Sequence, residues 1–125
     1  MTYSVYILSN KWKTVFYVGI TRDLEQRVFE HKSKFYKGFT SKYNCDCLMY
    51  YEDYSSVEEA IAREKQLKKY RREWKINLAM TMNSELKDIA ADWFTRADFE
   101  RYKKFEREPR RRGIAALTAA KTTLK

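Results

Sequence analysis

The chain has 125 residues, 44% of them hydrophobic, and a formal net charge of +9; this composition excludes an intrinsically disordered protein, and the length allows one domain with a modest core. Because no apolar run approaches the roughly 20 residues of a membrane span, and the first residues lack a signal-peptide pattern, we expect a cytoplasmic protein with no membrane partner. The positive charge favours a polyanionic partner such as nucleic acid, although it would also serve solubility alone.

Two β-rich segments open the chain. The segments "YSVYIL" (3–8) and "VFYVGI" (15–20) flank the polar turn "SNKWKT" and predict a hairpin with a six-residue connection. If the two strand ends that flank the turn pair with each other, Tyr6 lies directly across from Tyr17, and a slip by one residue would separate the two tyrosines. The opposite face would then hold the apolar side chains of Val5, Ile7, Phe16 and Val18.

Helix caps and one further β-rich run predict the remaining elements. Asp and Ser side chains accept hydrogen bonds from the first backbone N–H groups of a helix, and acidic residues in the first turn suit its dipole. We expect a helix from the Asp23 cap to about Lys34, a polar loop at 37–44, a third strand at 47–54, a helix capped by Ser55 or Ser56, and a helical stretch from Arg71 or Arg72 to about Met80.

The composition changes from Thr95 onward. The segment "RADFERYKKFERE" has helical spacing, and Pro109 and Gly113 flank three arginines before an Ala/Thr/Lys tail. We therefore divide the chain into a domain at 1–94 and a basic C-terminal extension at 95–125, partly helical or disordered. The extension is either a frayed terminus with solvated charge or a basic arm that lies along phosphates.

The first predicted helix carries two polar side chains on or beside its apolar stripe. At about 100° per residue, His31 lies about 20° from Leu24 around the helix, and Arg27 about 60° from it. His31 is the only histidine of the chain. Each residue taken singly suits a structural role, with Arg27 extending from the core edge and His31 filling a core position. Together they suggest a polar site at that face.

Glu64 has a similar place in the next predicted helix. It lies three residues after Ile61 and three before Leu67, within the apolar stripe. A carboxylate against a core needs a partner because its desolvation is costly. The partner is either an arginine, Arg27 or Arg63, in a structural salt bridge, or a divalent cation held at a cleft.

These residue types together suit the cleavage of a phosphodiester bond. A tyrosine, or a tyrosine–histidine pair, can accept the proton of a water molecule. An arginine and a metal ion can neutralise the charge that develops on the phosphate, and one carboxylate holds magnesium when waters and substrate phosphate complete the octahedron. We therefore expect a site in which the fold gathers Tyr6, Tyr17, Arg27, His31 and Glu64.

The motifs "VYI" (5–7) and "YVG" (17–19) resemble the paired signature of the GIY-YIG nuclease superfamily. The segments "GFTSKYN", "EEAIAREKQLKKYRRE" and "MNSELKD" resemble its small stand-alone bacterial members, and the resemblance extends from Tyr3 to about Phe94. It implies an α/β (α+β) fold, with a three-stranded antiparallel sheet flanked by helices. It also implies endonucleolytic hydrolysis of DNA with one divalent metal ion, Mg²⁺ or Mn²⁺.

The resemblance implies how the proton would move. Tyr17 or Tyr6 would be the general base or the hydroxyl that orients the water, and His31 would assist proton transfer. Ile20 stands where some DNA-repair members have a lysine that lowers the pKa of the base tyrosine. His31 is the available substitute, so both tyrosines stay candidates for the base.

The resemblance also assigns the groups that bind the phosphate and the metal. Arg27 would contact the scissile phosphate, Glu64 would bind the metal, and Asn83 stands at the family's less regular asparagine position. Val5 replaces the first glycine of the signature, a change that stand-alone members tolerate.

Basic residues after Glu64, and one in the 37–44 loop, are the candidate DNA-binding groups. They are Lys42, Lys65, Lys68, Lys69, Arg71 and Arg72. Tyr70 and Trp74 interleave with them and suit exposed bases; the alternative is that both aromatics belong to the core, which we favour for Trp74.

The sequence therefore leads to two functions. The first is a metal-dependent DNA endonuclease that acts on single-stranded or structured DNA. The second is a non-catalytic nucleic-acid-binding module with the same fold. A third option, a protein-interaction domain, would show no salt-dependent affinity for DNA.

Overall fold

A computed structural model describes residues 1–34 and 38–106, with an antiparallel sheet of three strands at its centre. The strands are β1 (Tyr3–Ser9), β2 (Phe16–Thr21) and β3 (Cys47–Tyr54), in the spatial order β2-β1-β3. The described helices are α1 (Leu24–Ser33), α2 (Phe39–Lys42), α3 (Val57–Lys68), α4 (Arg72–Met80) and α5 (Arg96–Glu106). The predicted three-stranded antiparallel sheet flanked by helices is confirmed.

The loop between β1 and β2 is organised by the side chain of Asn10. Its carbonyl oxygen accepts hydrogen bonds from the backbone N–H of Thr14 at 2.9 Å and of Val15 at 3.1 Å. Its amide nitrogen donates to the Thr14 hydroxyl at 2.8 Å. The side chain of Asn10 therefore joins the start of the loop to its end, and Ser9 and Phe16 form the strand pair next to the loop.

The predicted register of the hairpin was wrong by two residues. Tyr6 pairs with Gly19, and Tyr17 pairs with Leu8. The turn predicted at 9–14 lies one residue later, at 10–15, which changes the pairing by two. Because side chains alternate with period two, an even shift keeps both tyrosines on one face of the sheet, as diagonal neighbours.

The other face of the sheet carries the main hydrophobic core. Helix α3 buries Ala60 and Leu67 against strand residues of β1 and β2. The buried cluster comprises Val5, Ile7, Val18, Met49, Tyr50, Ala60, Leu67 and Ala79. Helix α3 therefore lies on the face opposite Tyr6 and Tyr17. Ser56 caps the first turn of α3, since its hydroxyl oxygen accepts a hydrogen bond from the N–H of Glu59 at 3.3 Å.

Helix α1 covers the tyrosine face. Asp23 caps it by accepting a hydrogen bond from the backbone N–H of Gln26 at 3.1 Å, as predicted. Val28 and Phe29 are buried. This placement brings the side chains of the last turns of α1 onto Tyr6 and Tyr17.

The outer edge of β3 is covered by the chain after α4. The backbone N–H of Ile89 donates to the carbonyl of Leu48 at 2.8 Å, and the N–H of Leu48 donates to the carboxylate of Asp88 at the same distance. Asp88 also forms an ion pair with Lys32 of α1. These bonds satisfy backbone groups that an edge strand would otherwise expose.

The chain divides into two compact units, Met1–Ala91 and a second that begins at Asp92. Within the second unit, Phe94 packs edge-on against Trp93 and Phe99. The predicted division at 94/95 stays a prediction, and the tail beyond 106 lies outside the described residues. No helix in residues 1–34 and 38–106 combines the length and the apolar character that a membrane crossing requires.

Candidate active site

Three aromatic rings from three elements meet on the face that α1 covers. The Tyr6 hydroxyl lies 3.2 Å from Nε2 of His31. The ring centroids of Tyr6, Tyr17 and His31 are 5.8–6.3 Å apart in every pair. The structure therefore brings together both tyrosines and the histidine that the sequence singled out.

Gly19 makes room for the phenol of Tyr6. A Cβ atom at position 19 would overlap Oη and Cζ of Tyr6 and would lie 3.0 Å from Cε2 of Tyr17. Since Tyr6 is fully buried, its ring has little space into which it could move. The glycine of the "YVG" motif is thus explained by the close approach of a tyrosine ring to the β2 backbone.

Replacing Gly19 by alanine should therefore destabilise the fold by about 2–3 kcal/mol, the upper part of the usual range for an overpacked core. The measurement is urea unfolding of Gly19→Ala, Tyr6→Phe and the double variant. Removing the hydroxyl relieves part of the overlap, so the double variant should lose less stability than the two single losses added. Strict additivity would mean that Tyr6 does not fill this space.

Burial governs the ionisation of Tyr6. Desolvation, with a smaller contribution from neighbouring Tyr17, raises the pKa of Tyr6 well above its ordinary value, and the nearby Arg27 only partly opposes this. Tyr6 is therefore neutral, and its buried O–H needs an acceptor. Nε2 of His31 is in place to accept that hydrogen bond.

His31 is held between Tyr6 and a threonine that sequence reasoning did not place in the site. Its Nδ1 lies 2.9 Å from the hydroxyl oxygen of Thr40, which is buried in α2. Since Nε2 accepts from Tyr6, the neutral ring carries its proton on Nδ1 and donates it to Thr40. The sequence suggests Thr40 only as a possible phosphate contact beside Lys42, because a loop pattern does not show that the side chain is buried against His31.

The ionisation of His31 also departs from its ordinary range. Desolvation, followed by the charge of Arg27, lowers the pKa of His31 to about 4. The imidazole is therefore neutral at neutral pH. The lone pair of Nε2 is therefore available to accept the hydrogen bond from the Tyr6 hydroxyl.

The same shift predicts how stability depends on pH. In the folded protein the pKa of His31 is about 4, below the ordinary 6.5. Between pH 4 and pH 6.5 the unfolded chain therefore binds a proton at His31 that the folded chain does not. Stability from this group is present above pH 6.5 and is lost as the pH falls toward 4. From neutral pH to about pH 4, the wild type should lose up to about 3 kcal/mol more than His31→Gln in urea unfolding. Parallel pH curves would contradict a buried neutral His31.

Arg27 is oriented by Glu30, a second residue that sequence reasoning did not include. Nε of Arg27 lies 3.2 Å from Oε1 of Glu30, and the amide of Gln26 donates to Oε2 at 3.1 Å. Glu30 is buried, and this desolvation raises its pKa despite both neighbours. The side chain of Arg27 remains 37% exposed, so its guanidinium is both held in place and accessible to an anion.

Glu64 lies on the buried stripe of α3, between Ala60 and Leu67, and its side chain is only 16% exposed. Its ion pair is with Lys68, at 3.0 Å, rather than with Arg27 or Arg63 as the structural alternative supposed. Arg63 instead binds Glu52 of β3 through Nε and Nη2.

The position of Arg63 indicates where Glu64 points. Arg63 and Glu64 lie about 100° apart around α3, on opposite sides of the Ala60–Leu67 line. Because Arg63 reaches Glu52 of β3, Glu64 lies on the side of α3 that is turned away from that contact. Helix α3 packs on the face of the sheet opposite the rings of Tyr6 and Tyr17.

The donor set fits a metal ion held mainly by waters and substrate. In residues 1–34 and 38–106, no group of three or more His, Cys, Asp or Glu side chains could hold a metal ion by itself. Magnesium requires only one or two carboxylates when phosphate oxygens and waters supply the other positions. Glu64 supplies one such carboxylate, and its counter-ion Lys68 has a side chain that is 54% exposed.

Asn83 is not brought to the aromatic cluster. Its amide donates to the carbonyls of Met49, at 3.3 Å, and Lys87, at 2.5 Å. Its carbonyl oxygen accepts from the N–H of Lys87 at 3.1 Å. These bonds close the turn after α4 and attach it to β3, at the opposite edge of the sheet from Tyr17. The contacts give Asn83 a structural role.

The predicted DNA-binding cations are exposed and form two groups. Lys42 is in α2, and the others, Lys65, Lys68, Lys69, Arg71 and Arg72, surround the α3–α4 junction. Arg72 donates to the carbonyl of Thr14 at 2.5 Å.

The prediction that Trp74 belongs to the core was wrong, because Trp74 is 50% exposed and Arg71 lies over its ring. Tyr70 packs partly against the core.

Comparison with known proteins adds three findings. A family model described as "GIY-YIG catalytic domain" matches residues 2–77. The solution NMR structure of a UPF0213 protein from Bacillus halodurans is similar, with 26% sequence identity and a TM-score of 0.46, over 74% of this chain and 98% of that one. No curated protein matches the chain.

Proposed function

Because the chain belongs to the GIY-YIG family, whose catalytic-domain model matches residues 2–77, we propose that it is a metal-dependent endonuclease that hydrolyses phosphodiester bonds of DNA. The observation that carries this proposal is the hydrogen bond of the buried Tyr6 to Nε2 of a neutral His31, beside the ring of Tyr17. A neutral imidazole bonded to a phenol, with a second phenol beside it, is a group to which the proton of an attacking water would be passed during hydrolysis.

The difference in burial separates the roles of the two tyrosines. Tyr6 is fully buried and its pKa is raised, so it neither meets a substrate water nor forms a phenolate easily. Tyr17 is half-buried. In the proposed reaction, the Tyr17 hydroxyl receives the proton of the attacking water and gives its own proton to the Tyr6 hydroxyl, whose proton passes in turn to Nε2 of His31. Neither tyrosine is then left as a phenolate.

Arg27 and Glu64 supply the charges that the phosphate requires. The guanidinium of Arg27, fixed by Glu30, would hold a phosphate oxygen with two N–H groups and offset its developing negative charge. Glu64 would hold the metal ion, which, when bound, supplies further stabilisation of charge on the phosphate and the leaving oxygen. Asn83, which the resemblance alone places in the catalytic set, has no part in this mechanism.

The basic groups support DNA as the substrate. Cations around the α3–α4 junction follow Glu64 directly and are exposed to solvent, and phosphate neutralisation gives non-specific affinity that falls with salt. Single-stranded or structured DNA is the proposed form, because exposed aromatic side chains accompany the cations. A non-catalytic DNA-binding module with the same fold is the alternative.

Two further proposals concern the protein as a whole. We place its work in the cytoplasm, where Cys45 and Cys47, both free thiols with a pKa raised to about 11 by burial, stay reduced. The segment 95–125 is proposed as an extension to the nuclease domain at 1–94. The net positive charge of this extension would allow the extension to lie along phosphates.

A cleavage assay tests the proposed function. End-labelled single-stranded, branched and duplex DNA is incubated with the protein and Mg²⁺ or Mn²⁺. We expect cleavage within the single-stranded or branched molecules and none in the presence of a chelator. Salt-dependent binding without cleavage, for every substrate and both metals, would overturn the nuclease and leave the binding module.

A further inference from the structure

A row of aromatic rings leads from the buried site to the surface. The ring of Phe39 in α2 stacks on Tyr17, with centroids 6.1 Å apart and planes 29° apart. Tyr43 follows, with its centroid 4.7 Å from that of Phe39. Tyr17 also contacts Tyr6 and His31, so the row is continuous with the candidate catalytic groups.

The outer members of the row are exposed. Phe39 is 48% exposed and Tyr43 is 41% exposed. The ammonium of Lys42 lies 5.5 Å from the centroid of the Tyr43 ring. Two adjacent exposed aromatic rings with a cation beside them have the composition of a surface that stacks nucleobases and binds the phosphate between them.

We propose that Phe39 and Tyr43 form a stacking site for an unpaired nucleobase of the DNA strand, with Lys42 binding an adjoining phosphate. The proposal rests on the proposed function for its choice of DNA. A base that stacks on Phe39 would place its own phosphate next to Tyr17, since the two rings are in contact. A base inside a duplex has no free face, so the site selects a strand with an unpaired or displaced nucleotide beside the bond that is cut.

The positive charge favours this occupant over a hydrophobic peptide. The chain carries a formal net charge of +9, and the ammonium group of Lys42 lies over the ring of Tyr43 in the exposed patch. An apolar peptide would gain nothing from the cation, whereas a nucleotide uses both the rings and the charge.

The test measures binding with cleavage suppressed. A single-stranded oligonucleotide with one 2-aminopurine is titrated with the full-length protein in the presence of a chelator, and affinity and fluorescence are followed. Phe39→Leu and Tyr43→Leu keep apolar bulk without an aromatic face. Each should weaken binding by about 5- to 100-fold and remove the fluorescence change that stacking causes. Phe39→Trp should keep both.

Two controls make the outcome specific. Trp12→Leu removes another exposed aromatic side chain that has a lysine over its ring, and it should retain the 2-aminopurine signal. An abasic nucleotide at the stacked position should weaken wild-type binding and cancel most of the effect of Phe39→Leu. Affinity for a blunt duplex should be the same for wild type and Phe39→Leu.

The two proposals fail in different ways. If Phe39→Leu and Tyr43→Leu bind the single strand as wild type does, or lose duplex affinity by the same factor, the stacking site is overturned, whether or not the protein cuts DNA. If the variants lose single-strand affinity selectively and the wild type still cuts nothing, the stacking site stands and the endonuclease does not.

Discussion

Replacing Glu64 by glutamine should reduce DNA cleavage by at least about a thousandfold, because a lost metal ligand removes several kcal/mol of charge stabilisation at the phosphate. Glutamine keeps the size of the side chain and removes its charge. Glu64 lies on the buried stripe of α3 but has an exposed counter-ion in Lys68, so the fold should tolerate the change. The measurement is the single-turnover rate on the best single-stranded or branched substrate, across a range of Mg²⁺ concentrations.

The matched control for Glu64→Gln is Glu59→Gln. Glu59 is on the same helix but exposed and outside the Ala60–Leu67 stripe, so its replacement should leave cleavage within about threefold of wild type. DNA affinity without metal should be preserved in both variants, since neither is among the proposed phosphate-binding cations. Equal activity of Glu64→Gln and wild type would show that Glu64 does not bind the metal ion, and it would contradict the proposed mechanism of hydrolysis.

Replacing Tyr17 by phenylalanine should reduce the cleavage rate by about 100- to 10,000-fold, the usual contribution of a positioned acid–base group. The change removes only the hydroxyl. The ring still stacks on Phe39 and packs against His31, so stability and DNA affinity should stay close to those of wild type. Single-turnover rates and urea unfolding of the same preparation separate the two effects.

Tyr6→Phe is the comparison that distinguishes the tyrosines. The Tyr6 hydroxyl is buried and bonded to His31, so its loss should cost about 1–2 kcal/mol of stability by leaving Nε2 without a partner. Tyr17→Phe should leave stability unchanged. If Tyr6→Phe destroyed cleavage while Tyr17→Phe remained active, the assignment of the two roles would have to be reversed.

The local elements could be predicted from the sequence because their causes are local. Alternation along 3–8 determined which residues of β1 share a face. Asp23 and Ser56 cap their helices through hydrogen bonds to residues three positions away. The period of a helix likewise placed Arg27, His31 and Glu64 on inward-facing sides before any fold was known.

The register and the orienting contacts could not be predicted in the same way. Whether the turn begins at Ser9 or Asn10 changes the strand pairing by two, and the choice depends on bonds that Asn10 makes only once the loop has closed. Thr40 and Glu30 look like ordinary polar residues in a loop and on a helix, and their burial results from packing. Trp74 was assigned to the core because its residue type is apolar, but the residue type does not reveal that half of the side chain is exposed among the described residues.

The sequence by itself determined the chemical groups, the strand faces and the helix sides, since alternation, helical period and capping act over a few residues. The tertiary structure alone decided that Tyr6 lies over Gly19, that His31 is neutral between Tyr6 and Thr40, and that Asn83 closes a turn. Those outcomes depend on desolvation and on contacts between residues distant in the chain, and both exist only after the elements have packed together.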